Sequence, residues 1–396
     1  VKPSLYLALV PFILGQAFAQ SASKPAMSAE LTAAQGLYAQ GHFAEAEAAA
    51  KKLTDGDKYS IAGLQLRARL EMAANSLSAA QGDLLQARRL DIHNRTTLQL
   101  LGEAFWRADK FADAAPFLEQ VDRVAQARQA QALAATEAYR VEGLGMEDRI
   151  KLLRVDPVPV VAVRLNGGAV QYFAVDPGGS EVVLDTSVAA GLDLPDLGFG
   201  PGGFSTPDAQ GPSARAAHSV LPALAVGLWV VHDVPVTVQS TAAYGADIRG
   251  VVGAEFLAHF VSTLDFKHGE LRLLRRSGTR GAETDVARRQ RLTAAGAKAV
   301  PLHFVGEHFL VMDAALGADA VNATAVPWWF SLGPTNDGPS QVPVRIGQLA
   351  GTAQAWPAGA ENMASGVHVY GILGAGFFRN SAVTLDTGNM LLWIEK

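Results

Sequence analysis

The sequence predicts a multidomain α and β protein, with a helical stack in the front half and an all-β back half of two related lobes. Three observations carry that prediction. Residues 30 to 140 are rich in Ala, Leu, Gln, Glu and Arg, with Pro116 their only proline, a composition that favours helix. From Val155 to Val163 the chain becomes β-branched and alternating, punctuated by Pro157 and Pro159. The back half then repeats itself. Gly250-Val251-Val252-Gly253-Ala254-Glu255-Phe256 aligns with Gly371-Ile372-Leu373-Gly374-Ala375-Gly376-Phe377, and Thr263-Leu264-Asp265-Phe266 with Thr384-Leu385-Asp386-Thr387. Both pairs fall at an offset of 121 residues (371 − 250 and 384 − 263).

Composition bounds the function. With 396 residues, 49% hydrophobic and 18% charged, the chain has room for several cores and is globular. A net charge of −5 and the lack of any Lys/Arg stripe exclude nucleic acid as a partner, because nothing would neutralise phosphate. The absence of cysteine excludes disulfides, thiolate nucleophiles and Cys-ligated zinc. At the N-terminus, Lys2 precedes an apolar run from Leu5 to Leu14, and Ala17-Phe18-Ala19 precedes Gln20. A basic start, a short apolar centre and an Ala-x-Ala end predict a cleavable signal peptide over 1–19 and a periplasmic or secreted protein; the alternative is a buried N-terminal helix. The run is too short to span a bilayer, and with no other long apolar segment no membrane span is expected.

In the front half, a spacing of 34 residues brings three lines together. Gly41-His42-Phe43-Ala44-Glu45-Ala46 matches Asn75-Ser76-Leu77-Ser78-Ala79-Ala80, which matches Asp109-Lys110-Phe111-Ala112-Asp113-Ala114. Small residues recur at Ala34, Ala68 and Gly102, and the shared alanine at Ala46, Ala80 and Ala114 is followed by Ala50, Leu84 and Leu118. Small side chains let paired helices approach, and larger ones fill the groove between pairs. The period and pattern resemble tetratricopeptide repeats, here over 28–140, with an ordinary helical bundle as the alternative. The resemblance implies a possible protein partner on the face of the stack. Residues 141–154 are expected to be a linker, entered by a helix that runs out through Gly143 and Gly145.

The β half divides into lobe one (155–276), an inter-lobe linker (277–298) that is charged and Ala/Gly-rich, and lobe two (299–396). Lobe one contains Phe173-Ala174-Val175-Asp176-Pro177-Gly178-Gly179, an apolar strand that ends in a carboxylate and a Gly-rich turn. That order presents an acid at the mouth of a cleft, since the strand is buried and the glycines fold back beside the acid. With the duplicated apolar-apolar-Gly and Thr-Leu-Asp patterns, residues 155–396 resemble the retropepsin-like (pepsin/retropepsin clan) aspartic proteases, a two-lobed all-β acid-protease fold.

The resemblance implies one catalytic Asp per lobe, the pair sharing a proton so that one activates water and the other protonates the substrate carbonyl. Asp176 is the lobe-one candidate. Pro177 replaces the family's Thr and removes a bracing hydroxyl and a backbone N–H. In lobe two the strand Val326-Pro327-Trp328-Trp329-Phe330 leads to Ser331-Leu332-Gly333-Pro334. Gly333 takes the place of the motif glycine, so Ser331 stands where the second acid belongs. Pro177, Gly178, Gly179, Leu332 and Gly333 form the cleft loops. Asp337 would reach the cleft only through a rearranged loop. Asp386-Thr387-Gly388 reads as the motif but has eight residues after it and aligns with Asp265-Phe266-Lys267, which makes it a hairpin turn. Without a second acid, Asp176 is expected to ionise like an ordinary carboxylate. Residues 193–219, dense in Gly, Pro and Ser, fall where the family places its flap; a lid and a disordered insertion both fit.

Other chemistries find no footing. The nine histidines include no H-E-x-x-H pair, and His303 and His308 flank a turn as structural or surface residues, so no metal and no cofactor are expected. Gly198-Phe199-Gly200-Pro201-Gly202-Gly203 lacks the Lys-Ser/Thr of a phosphate loop, and no Gly-x-Ser-x-Gly elbow occurs. The expectation is an exported aspartic protease homologue, degenerate, that binds peptide or protein in the former cleft. The alternatives are an active endopeptidase that draws a second acid from Asp337 or a dimer, and a scaffold working through the helical stack.

Overall fold

The computed structural model describes residues 29–57, 59–201, 215–276, 283–306, 309–317, 325–333, 340–347, 349–356 and 366–396. The expected signal segment, residues 202–214 of the expected flap, His308 and Asp337 lie outside the described residues.

Helices come first: α1 (Ala29–Ala39), α2 (Phe43–Gly56), α3 (Ile61–Ala73), α4 (Leu77–Leu90), α5 (Arg95–Trp106), α6 (Phe111–Gln120) and α7 (Val124–Ala134). The first six pair in order as three hairpins. Each hairpin turns at a residue with positive φ, Gly41 at 77°, Asn75 at 55° and Asp109 at 55°. Glycine enters that region freely and Asn and Asp tolerate it best among the others, which is why three different residues do one job 34 positions apart. Ala34, Ala46, Ala68, Ala80 and Ala114 are buried at the helix contacts, and a Cβ on Gly102 would lie 3.0 Å from Leu118 Cδ2. Ser60 and Asn94 cap α3 and α5 by accepting from the Gly63 and Thr97 N–H groups. The stack is consistent with a helix-hairpin repeat. None of the described helices is long and apolar enough to cross a membrane.

The strands of lobe one are β1 (Arg140–Glu142), β2 (Glu147–Lys151), β3 (Val160–Leu165), β4 (Val170–Val175), β5 (Val182–Leu184), β6 (Phe199–Pro201), β7 (Arg215–Val226), β8 (Trp229–Val238), β9 (Gly250–Val252), β10 (Phe260–Asp265) and β11 (Glu270–Arg275). Short helices α8 (Thr186–Ala189) and α9 (Ala254–Ala258) interrupt them, and α10 (Asp285–Ala294) joins the lobes. Lobe two contributes β12 (Lys298–Val305), β13 (Phe309–Leu316), β14 (Ala325–Phe330), β15 (Ser340–Ile346), β16 (Leu349–Ala355), β17 (Gly371–Leu373), helix α11 (Ala375–Phe378), β18 (Ala382–Asp386) and β19 (Leu391–Glu395).

Each lobe curls into a barrel, closed by β7–β8 pairing in the first and β13–β14 pairing in the second. The lobes meet in a common sheet of order β12-β19-β18-β10-β11-β2. At its centre β10 and β18 run antiparallel with Thr263 opposite Thr384, Ser262 opposite Leu385 and Leu264 opposite Val383. Residues related by the 121-residue offset therefore pair about a local twofold axis, where the Thr263 and Thr384 hydroxyls bond to each other at 2.7 Å. One apolar core runs from Leu84 and Leu101 in the stack through Trp229 and Phe260 to Trp328 and Phe378. Each such side chain contributes about 2–3 kcal/mol on burial.

Odd-numbered helices hold the stack on the β half. Ala39 O of α1 accepts from His368 N at 2.6 Å, and α3 packs on β12. The α5 indole of Trp106 donates to the Glu255 carboxyl at 3.3 Å. In α7, Gln129 Nε2 donates to Ser219 O (2.6 Å) and Val236 O (3.0 Å), while its Oε1 meets His218 Nδ1 at 2.9 Å. Part of the face expected to receive a partner is thus covered by the chain itself.

Two stretches differ from expectation. The helix ends at Ala134, and residues 141–154 are not a bare linker: β1 pairs with β8 and β2 with β11, Ile150 opposite Leu271. Glu147-Asp148-Arg149-Ile150-Lys151 carries no alternation to announce a strand, and its ladder comes from a partner more than a hundred residues away. The inter-lobe segment holds α10, capped by Thr284 accepting from Ala287 N at 3.2 Å.

Candidate active site

The Asp176 loop is placed by an unusual strand arrangement. Strand β4 runs parallel to β9, with Val175 beside Val252, and β9 pairs antiparallel with β5. Asp176 leaves the end of β4 with its N–H donating to Val252 O at 3.0 Å, and is buried at the floor between the lobes. Lobe two repeats this: β14 runs parallel to β17, Phe330 beside Leu373, and Ser331 leaves its end. The ends of both strands, Phe173-Ala174-Val175 and Pro327-Trp328-Trp329-Phe330, are apolar without alternation because they are buried on both faces.

The two loops touch. A Cβ on Gly178 would lie 2.7 Å from Ser331 Cα, so only glycine fits at that approach. The structure brings Asp176 and Ser331 side by side: Ser331 Oγ donates to Asp176 at 3.1 Å (Oδ1) and 3.3 Å (Oδ2). Leu332 N donates to Oδ1 at 2.7 Å and Gly178 N at 2.9 Å. Tyr244 Oη donates to Oδ2 at 2.9 Å. Gly333 N donates to Ser331 Oγ at 3.3 Å, and Gly333 also approaches Tyr244, whose hydroxyl would sit 2.9 Å from a Cβ there. Four donors among the described residues therefore occupy one carboxylate. Pro177 and Gly179 are buried beside it.

Asp176 does not ionise like an ordinary carboxylate. Burial pushes its pKa up, and the Leu332 and Gly178 N–H groups, Tyr244 and Ser331 offset only part of that. Neighbouring charges can be read along a sequence, whereas desolvation depends on the packing around the group. Burial also raises the Tyr244 phenol well above its usual range, with the Asp176 charge adding to it, so Tyr244 remains a donor.

The other acids stand apart from this site. Asp386 accepts from Arg288 Nε (3.1 Å) and Asn389 Nδ2 (2.9 Å) at a hairpin end, and Asp265 meets His268 Nδ1 at 2.9 Å and Arg272 at the matching end. His303 stacks on Phe43 with ring centroids 4.0 Å apart, and burial lowers its pKa to about 4. Tyr244 was not among the residues singled out from sequence. It ends a 3-10 turn over Ala242–Tyr244, and its place just ahead of the Gly250-Val251-Val252-Gly253 segment is the only signal that could have drawn attention to it.

Two barrels meeting on a twofold sheet, with one loop from each at the floor between them, define the retropepsin-like aspartic-protease fold. In sequence, residues 161–256 match the aspartyl protease family model, a span that takes in β4, the Asp176 loop, Tyr244 and β9. A retropepsin-like aspartic protease from Rickettsia conorii is 20% identical, over 34% of this chain and 92% of its own, with a TM-score of 0.25. The aspartic proteinase of Irpex lacteus is 10% identical over 63% and 97% (TM-score 0.40), and soybean Basic 7S globulin 9% over 63% and 96% (TM-score 0.36). No curated protein matches the chain.

Proposed function

We propose that this is a degenerate member of the aspartic-protease fold, which holds a peptide or protein segment between its lobes without efficient hydrolysis. The observation that carries the reading is the pairing of Asp176 with a hydroxyl. Peptide hydrolysis by this fold needs one protonated and one ionised carboxyl with water between them. A serine hydroxyl cannot accept that water's proton near neutral pH, and Asp176, the one carboxylate of the site among the described residues, is already engaged by four donors. The basic start, apolar run and Ala17-Phe18-Ala19 support an exported protein, with a mature chain beginning at or near Gln20. The self-covered odd-numbered helices favour a role for the stack as part of the same body over a free scaffold.

Digestion of a peptide library by the purified protein, beside its Asp176→Asn variant, tests the reading. The expected result is no cleavage that depends on Asp176, and peptide binding by fluorescence polarisation that survives the substitution. Cleavage by the parent that disappears in the Asn variant would make the protein an endopeptidase instead. Restoring hydrolysis should need Ser331→Asp with Pro177→Thr and Leu332→Thr.

A further inference from the structure

Away from the cleft, a cavity of about 220 Å³ lies where the stack, lobe one and lobe two meet. The α3–α4 and α5–α6 turns supply one wall through Asn75 and Asp109, α9 supplies Glu255 and Ala258, the end of β11 supplies Arg276, and β12 supplies Phe304. A junction of separately built parts is where small-molecule sites concentrate, and here polar and charged side chains share the wall with aromatic ones. Trp106, Tyr139 and Phe304 give it flat aromatic surface.

The polar groups are fixed in place. Arg107 donates to Met72 O at 2.9 Å and lies over the Phe304 ring, 4.8 Å from its centroid. Arg276 donates to Ala258 O at 2.7 Å. Glu255 accepts from Trp106 Nε1 at 3.3 Å and from Tyr139 at 3.4 Å. His259 stacks on Tyr139 with centroids 3.9 Å apart, and Asp109 stands exposed beside it, 3.9 Å from His259 Nε2. Two guanidinium groups on the wall of one small cavity stay charged whatever surrounds them. The carboxyl opposite them behaves differently, because burial and the neighbouring Glu181 push Glu255 well above the usual carboxylate range, and burial keeps His259 neutral with a pKa down to about 3. Arg107 keeps Glu103 Oε1 at 3.9 Å and turns its other terminal nitrogen to Met72 O, so Arg276 is the guanidinium placed to meet an anion.

We propose that this cavity is a binding site for a small organic carboxylate, its charge on the Arg276 guanidinium and its apolar body against Trp106, Tyr139 and Phe304. The space matches about seven waters at roughly 30 Å³ each, which sets the ligand at the size of a single ring or a short branched acid. The site is separate from the Asp176 loop and holds whether or not the cleft hydrolyses peptides.

Calorimetric titration of benzoate into the purified full chain tests this, with benzylamine as the ring-matched cation. Benzoate should saturate one site and benzylamine should not bind. Arg276→Gln should weaken benzoate at least about tenfold, as loss of a charge-assisted contact does. Ala108→Leu fills the cavity without altering charge and should remove binding; Ala108 is on the cavity wall. Circular dichroism and Tm establish that each variant folds, and Arg276→Lys, which keeps the charge but loses the fork, replaces Arg276→Gln if that variant does not. Failure of benzoate to saturate, benzylamine binding as tight as benzoate, or benzoate binding indifferent to both substitutions would overturn the assignment.

Discussion

The Asp176 loop and the Ser331 loop are built alike and equipped differently. Both leave the end of a strand that runs parallel to a Gly-led apolar segment, and both carry a glycine at the point of closest approach. One tip is a carboxylate drawing four hydrogen bonds and the other is a hydroxyl that spends itself on that carboxylate. The difference teaches that the strands and the glycine contact specify the loop, whereas the residue at the tip specifies only the chemistry. A lobe with a hydroxyl at its tip can take the same shape as one with an acid.

Breaking the shared part should cost most. Gly178→Val would force side-chain atoms into Ser331, whose Cα would already lie 2.7 Å from a Cβ, and backbone cannot yield as a flexible side chain does. We expect a loss of about 4 kcal/mol in urea denaturation, or no folded protein. A cost below about 1 kcal/mol would mean that the two loops are not in contact.

Removing the tip itself comes next. Asp176→Ala strands the buried Leu332 and Gly178 N–H groups without their acceptor and should cost about 3 kcal/mol. Ser331→Ala removes one donor from a carboxylate that keeps three and should cost about 1 kcal/mol. Equal losses for the two would erase the asymmetry between the lobes.

The acid just past the Asp176 loop offers a pH readout. Glu181 is buried with Oε2 lacking a hydrogen bond among the described residues, and burial raises its pKa to about 7. The folded state therefore binds this proton more tightly than the unfolded chain. The stability that results is fully present below the usual Glu pKa, near 4.5, and is lost as pH rises from there through about 7. The unfolding free energy from urea denaturation should fall between pH 5 and pH 8, by roughly 2 kcal/mol from this group. Glu181→Gln should flatten that slope; a slope unchanged in the variant would assign it elsewhere.

Tyr244→Phe should cost no more than Ser331→Ala, about 1 kcal/mol from one hydrogen bond, and should leave the Ser331 contact intact. A shift of the Asp176 carboxyl resonance titration to higher pH, followed by NMR, would accompany it, since one donor to the charged form is gone.

Much of this molecule was legible along the chain. The hairpin turns at Gly41, Asn75 and Asp109 are local events that a residue's own backbone preference decides, so a 34-residue comparison finds them. The 121-residue offset placed Thr263 with Thr384 because a duplicated lobe must repeat its buried strand pattern. Counting back from Gly333 put Ser331 at the lobe-two tip for the same reason. What tertiary structure decided lies between segments that share no local signal. Tyr244 reaches Asp176 across 68 residues and Ser331 reaches it across 155, β2 becomes a strand only because β11 offers it a ladder, and Glu255 meets Trp106 across 149. The raised pKa of Asp176 belongs here too, since desolvation depends on everything packed around a group and on nothing in the seven residues that carry it.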